Sequence, residues 1–68
     1  MGWGADKASP PPGAVYFEFT QIGPQMRVAA IDADSGIEVV VIAPVSATQP
    51  QMRALALAKL KRRLATQG

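Results

Sequence analysis

The sequence contains no cysteine and no histidine. Without cysteine there is no disulfide framework, thiolate metal site or cysteine nucleophile, and without histidine the commonest general base and metal ligand is missing. Small domains usually gain stability from disulfides, a metal or a partner subunit. Because the cysteine and histidine that usually build the first two are both absent, we expect this 68-residue chain to associate with a second subunit and to use no cofactor.

Long apolar runs are also missing. Nothing in the sequence approaches the apolar stretch of about 18 residues that a membrane span requires. The N-terminal region lacks the basic start and apolar stretch of a secretory signal. We therefore expect a cytoplasmic protein that is neither secreted nor membrane-spanning.

The first 13 residues are rich in glycine and proline and cannot supply a repeating buried face. We interpret residues 1–13 as a flexible arm and residues 14–66 as one domain. Trp3 is the only large apolar residue of the arm, and Pro10 to Pro12 can form a short polyproline II segment. Whether Trp3 packs on the domain or on a partner, or whether the arm is a disordered tail, stays open.

Three runs rich in β-branched and aromatic residues follow the arm, at residues 14–22, 26–33 and 37–43. Gly23 with Pro24 separates the first two runs, and the turn residues 34–36 separate the second and third. Both connections are short enough for tight hairpins. The pattern predicts a three-stranded antiparallel β-meander.

The second hairpin determines which residues share a face. A three-residue loop at 34–36 pairs Ala33 with Ile37. A two-residue loop would instead set Asp32 against Val39 on the buried side, where an unpaired carboxylate is costly. We therefore prefer the three-residue loop, which places these residues on the face that is to be covered: Val15, Phe17, Phe19, Ala29, Ile31, Ile37, Val39 and Val41.

After Pro44 the pattern becomes helical. Thr48 and Gln51 have the spacing of a capping box, and Pro50 falls in the first turn, where its missing N–H costs nothing. The apolar residues that follow recur at helical spacing on one face: Met52, Ala56, Leu57, Leu60 and Leu64. We predict an α+β fold in which one C-terminal α-helix packs on one face of the sheet.

The sheet face away from the helix would still carry many apolar residues. A solvated face of an antiparallel sheet is normally polar, and contiguous exposed apolar patches mark interaction sites. Our first hypothesis is a homo-oligomer or partner-docking face formed by Ile22, Met26, Val28, Val40 and Ile42. The alternative is that these residues are scattered and that the N-terminal arm folds over them.

Basic residues gather in the helical segment, which contains no acidic residue. A second hypothesis is therefore an accessory nucleic-acid-binding protein that contacts phosphates through Lys59, Lys61, Arg62 and Arg63. No aromatic residue interleaves with these four, so single-strand stacking has no platform there. The alternative is that they lie on a solvated surface and stabilise the helix C-terminus.

Catalysis has few candidate groups. The preferred register makes Asp32 and Glu38 cross-strand neighbours, with Tyr16 beside Asp32, but surface carboxylates on a flat sheet are usually structural. The run Asp32 to Gly36 lacks the distal acidic ligand of a calcium loop. We expect no enzyme, metal, cofactor or small-molecule substrate, and favour a protein–protein interaction or assembly module.

A resemblance covers the block from Val15 to Leu64, most of the chain. It is carried by Phe17 to Gly23, by Arg27 to Ala33 with Gly36, Glu38 and Val39, and by Lys59 to Leu64. Through them the chain resembles a family of short, uncharacterised bacterial proteins, a domain of unknown function built as a β-meander followed by a basic helix. The resemblance implies this fold and supports the predicted domain boundary. It implies no activity, cofactor or binding residue.

Overall fold

The structure is a computed structural model and describes residues 11–67. The predictions for Trp3 and for residues 1–10 of the arm lie outside these residues. The described chain forms three strands and one helix: β1 (Val15–Ile22), β2 (Gln25–Asp32), β3 (Glu38–Pro44) and α1 (Gln49–Ala65). The strands form one antiparallel sheet in the order β1-β2-β3, and α1 packs against it. The predicted α+β meander with a C-terminal helix is confirmed.

The first hairpin has a two-residue loop. Ile22 pairs with Gln25, so only Gly23 and Pro24 lie between the strands. Gly23 has a φ of 60°, which is required at the first position of a type II′ turn and is accessible to glycine without strain. The pairing then continues through all eight residues of β1 without a bulge.

The second hairpin differs from the prediction, because its loop contains four residues rather than three. The Asp32 N–H donates to the Ile37 carbonyl at 2.8 Å, and the Gly36 N–H donates to the Asp32 carbonyl at 2.8 Å. The Asp32 carboxylate accepts hydrogen bonds from the Ser35 N–H at 2.9 Å and the Ser35 hydroxyl at 2.6 Å. The predicted pairing of Ala33 with Ile37 is therefore wrong. Asp32 is only 7% exposed, but the cost of burying its carboxylate is offset because Ser35 supplies two donors.

Side chains alternate between the two faces of a strand, so a shift of one residue exchanges the faces. The helix-facing residues predicted in the runs 14–22 and 37–43 are confirmed: Val15, Phe17, Phe19, Ile37, Val39 and Val41. Those predicted on β2 are wrong. Val28 and Ala30 face the helix and belong to the core, whereas Ala29 and Ile31 face the other side.

The helix begins as predicted. The Thr48 hydroxyl accepts from the Gln51 N–H at 3.2 Å, and the Gln51 side chain accepts from the Thr48 N–H at 2.9 Å, which completes the capping box. Met52, Ala56 and Leu60 are buried against β2 and β3. No helix within residues 11–67 is long and apolar enough to cross a lipid bilayer.

Replacing Leu60 by alanine tests the packing of the helix. Leu60 is fully buried, so Leu60→Ala should lower the free energy of unfolding by about 2–5 kcal/mol. Leu55 is on the same helix but is 55% exposed, and Leu55→Ala is the matched control, with an expected loss below about 1 kcal/mol. Urea denaturation followed by circular dichroism measures both. Equal losses would contradict this placement of the helix.

Replacing Asp32 by alanine tests the four-residue loop. Asp32→Ala leaves the Ser35 N–H and hydroxyl without their acceptor, and we expect a loss of about 1–3 kcal/mol in the free energy of unfolding. Asp34 is exposed in the same loop, so Asp34→Ala should cost less. Denaturant unfolding of the two variants gives the comparison, and a greater loss for Asp34→Ala would be evidence against the observed register.

Candidate interaction surface

We call the side of the sheet that faces away from α1 the open sheet face. Within residues 11–67 the helix packs on the opposite side only, because its buried residues contact the core side of β2 and β3. The strand registers place these side chains on the open sheet face: Tyr16, Glu18, Thr20, Ile22, Gln25, Arg27, Ala29, Ile31, Glu38, Val40 and Ile42.

Four apolar residues that are half-buried or exposed form a contiguous patch across all three strands: Tyr16, Ile31, Val40 and Ile42. Tyr16 pairs with Ile31, Val40 is a diagonal neighbour of Ile31, and Ile42 follows Val40 on the same side of β3. Ala29 pairs with Val40 on this face but is fully buried. Tyr16 is 52% exposed and Ile42 is 54% exposed. Paired and diagonal neighbours on one sheet face lie within about 8 Å of one another, so these side chains offer one continuous surface.

Three of the five residues predicted for docking lie on the open sheet face. Val40 and Ile42 belong to the apolar patch, whereas Ile22 is 56% exposed at the far end of β1, opposite Gln25. The placement of Met26 and Val28 on this face is wrong. Val28 is fully buried in the core and Met26 packs against the core, because the register of β2 differs by one residue from the predicted one.

Tyr16 and Ile31 are patch residues that the predicted docking set left out. The sequence contained a signal for both residues. A two-residue loop at Gly23 and Pro24 pairs Ile22 with Gln25, and continuing this pairing along the two strands places Tyr16 opposite Ile31. The prediction derived the face of β2 from the second hairpin alone and therefore missed this pairing.

Charged and polar groups border the patch. Glu18 pairs with Ala29, Glu38 pairs with Ile31, and Arg27 pairs with Ile42. The predicted pairing of Asp32 with Glu38 is wrong, and so is the predicted position of Tyr16 beside Asp32. Asp32 lies on the helix side of the sheet, whereas Glu38 and Tyr16 lie on the open sheet face.

The four basic residues of the second hypothesis do not share one surface. The Lys59 ammonium donates to the backbone carbonyl of Val40 at 2.8 Å, on the β3 side of the helix. Lys61 lines a groove on the β1 side, and Arg63 donates to the side chain of Gln67 at 3.4 Å. Arg62 is exposed near the helix C-terminus. Nucleic-acid binding through these residues stays a prediction.

Two open apolar grooves run along the flanks of α1. The groove between α1 and β3 has a volume of about 500 Å³ and is lined by Ile42, Ala43, Pro44, Ala47, Gln51, Ala54, Leu55 and Ala58. The groove between α1 and β1 has a volume of about 410 Å³ and is lined by Gly13, Val15, Phe17, Asp32, Leu57, Leu60, Lys61 and Leu64. Both exist because a single helix is narrower than a sheet of three strands.

No curated protein and no solved structure matches this chain. One family model matches residues 12–67, a stretch that contains all three strands and the helix. Its description agrees with the resemblance found in the sequence to a domain of unknown function. The chain therefore belongs to the family described as Domain of unknown function (DUF6898).

Proposed function

We propose that this protein is an assembly module that binds another protein through its open sheet face and carries out no catalysis. The observation that supports this is the apolar patch, in which Tyr16 and Ile42 are more than half exposed on the sheet side opposite the helix. The partner is either a different protein or a second copy.

The arrangement of the patch resembles the anatomy of protein interfaces. Such interfaces have an apolar centre that contains few charges and a polar rim, and aromatic residues such as tyrosine are enriched in them. Here the half-buried Ile31 and Val40 occupy the centre, and Glu18 and Glu38 lie to either side on the two outer strands. Docking would remove the apolar side chains from water and leave the carboxylates hydrated.

Flatness also favours protein binding over small-molecule binding. Small-molecule sites are usually concave and bury most of their ligand. The open sheet face is one layer of a three-stranded sheet, so it offers breadth instead of enclosure. A second protein surface of similar flatness fits it better than a substrate does.

We further propose an accessory role in the cytoplasm, in keeping with a chain that lacks cysteine. Nucleic-acid binding through the helix is the second proposal. It has less support, because Lys59 and Lys61 lie on opposite flanks of α1.

A charge introduced into the patch tests the proposal. When the tagged full-length chain is purified from its native cell, we expect a partner protein, the companion, to co-purify with it in stoichiometric amount. Val40→Lys should abolish recovery of this companion, because burying an unpaired ammonium in the interface is costly. Ile42→Lys should act in the same way at a more exposed position. The measurement is quantitative mass spectrometry of the companions, with light scattering to detect a second copy.

Val45→Lys is the matched control for Val40→Lys. Val45 is the same residue type, is 42% exposed, and follows β3 instead of lying in the patch, so its substitution should leave binding unchanged. Circular dichroism establishes that all three variants are folded. Full companion recovery by Val40→Lys and Ile42→Lys would contradict the proposal, as would equal loss in Val45→Lys.

A further inference from the structure

The two edges of the sheet differ in how their outward backbone groups are satisfied. Asp32 bonds to Ile37, and alternation along an antiparallel ladder then directs the N–H and C=O of Val40 away from β2. Lys59 donates to that Val40 carbonyl at 2.8 Å, and Pro44 at the end of β3 has no N–H to offer. A lysine and a proline are common devices that prevent a sheet edge from pairing. Lys59 and Pro44 thus protect the β3 edge against pairing with another strand.

In the part of the chain that the structure describes, the β1 edge has no comparable protection against pairing. The Ala33 N–H donates to the Ala14 carbonyl at 3.0 Å, and the same alternation identifies the residues of β1 whose backbone groups point outward. These residues are Val15, Phe17, Phe19 and Gln21. Within residues 11–67 no hydrogen bond reaches their outward groups. The strand contains no proline and no bulge, and Glu18 is its only charged residue.

Apolar side chains accompany this free edge. Phe17 and Phe19 face the helix side of the sheet, but α1 packs over β2 and β3, so both rings are only partly buried. A long, flat edge with apolar side chains is a template for pairing with another strand. The two features coincide on β1 and on no other edge of the described sheet.

We propose that β1 pairs antiparallel with β1 of a second copy, with Phe17 directly opposite Phe17 of that copy across the two-fold axis. The product is one continuous sheet of six strands, since each copy contributes three. The inference concerns the strand edge and does not depend on the function proposed for the open sheet face.

The choice of register follows from the side chains. In a symmetric antiparallel pair, one residue lies directly opposite its own copy across the two-fold axis. In the middle of β1 this residue can be Phe17, Glu18 or Phe19, and we refer to each choice as an axis at that residue. An axis at Glu18 sets two carboxylates directly opposite each other, which is unfavourable. An axis at Phe19 pairs Phe17 with the polar Gln21 of the second copy.

An axis at Phe17 gives the best complementarity. On the helix side, Phe17 then meets Phe17 of the second copy, and Val15 meets Phe19 of the second copy, so all three central pairs are apolar. On the open side, Tyr16 lies opposite Glu18 of the second copy, where its hydroxyl can donate to the carboxylate. The strand is therefore complementary to itself in this register, which is why we propose a second copy of this chain as the partner of the β1 edge.

The helices do not obstruct this pairing. Strands lie about 4.8 Å apart, so two helices that each cover β2 and β3 would be separated by about 19 Å across the paired β1 strands. Packed helices lie about 8–10 Å apart, and the two copies of α1 therefore neither clash nor contribute to the contact. The association depends on the backbone and side chains of the two β1 strands.

Two proline variants test the proposal. Val15→Pro removes an outward N–H that donates to Phe19 of the second copy in this register, and it costs β1 no hydrogen bond to β2. Gln21→Pro removes an outward N–H that lies beyond the paired region, and it is the matched control. Sedimentation velocity of the full-length protein over a concentration series measures the dissociation constant of the dimer.

We expect a dimer at tens of micromolar for the unmodified chain. Val15→Pro should raise its dissociation constant about tenfold or more, because two hydrogen bonds are lost per dimer, and Gln21→Pro should leave it nearly unchanged. A monomer at every concentration would overturn the proposal, as would equal effects of the two prolines. Circular dichroism confirms that both variants fold.

Cysteine cross-linking supplies a second measurement in this cysteine-free chain. Residues on the axis lie about 5.5 Å apart between Cα atoms, within reach of a disulfide. Phe17→Cys should cross-link on oxidation, while Glu18→Cys and Phe19→Cys should not. Preferential cross-linking at either of the latter would overturn the register. Val40→Lys should leave this dimer intact, so the edge proposal and the proposed function can fail separately.

Discussion

The two-residue loop at Gly23 and Pro24 is the constraint on which the other features depend. A loop this short leaves β2 only one alignment against β1. The alternation of side chains along the strand then determines on which of the two sheet faces each β2 side chain lies. Val28 and Ala30 are thereby directed toward the helix, and Ile31 toward the opposite side. The core and the open sheet face are two results of the same turn.

The second hairpin agrees with the first because of one buried side chain. The register from β1 places Asp32 on the core side, where a carboxylate without donors would be costly. Ser35 provides those donors, and the loop consequently lengthens to four residues, with Gly36 at a φ of 76°. Both hairpins then place Val28 and Ala30 under the helix, and such agreement between local and global preferences favours one folded state.

Features that depend on local spacing were predicted correctly from the sequence. The capping box of Thr48 and Gln51 and the helix-facing residues of β1 and β3 belong to this group. The face of β2 was not, because the prediction took it from the second hairpin and assumed that a buried Asp32 would find no donors. Of the five residues predicted for docking, Met26 and Val28 consequently belong to the core side.

Among residues 11–67, the helix covers one face of the sheet and leaves the open sheet face and the β1 edge uncovered, and the proposals follow from that geometry. The assignment of the β2 faces is the central claim, and nuclear Overhauser effects between methyl groups of the labelled full-length protein test it most directly. We predict contacts from Val28 and Ala30 to Ala56 and Leu60 of the helix, and none from Ile31. Contacts between Ile31 and the helix methyl groups, with none from Val28, would contradict the account.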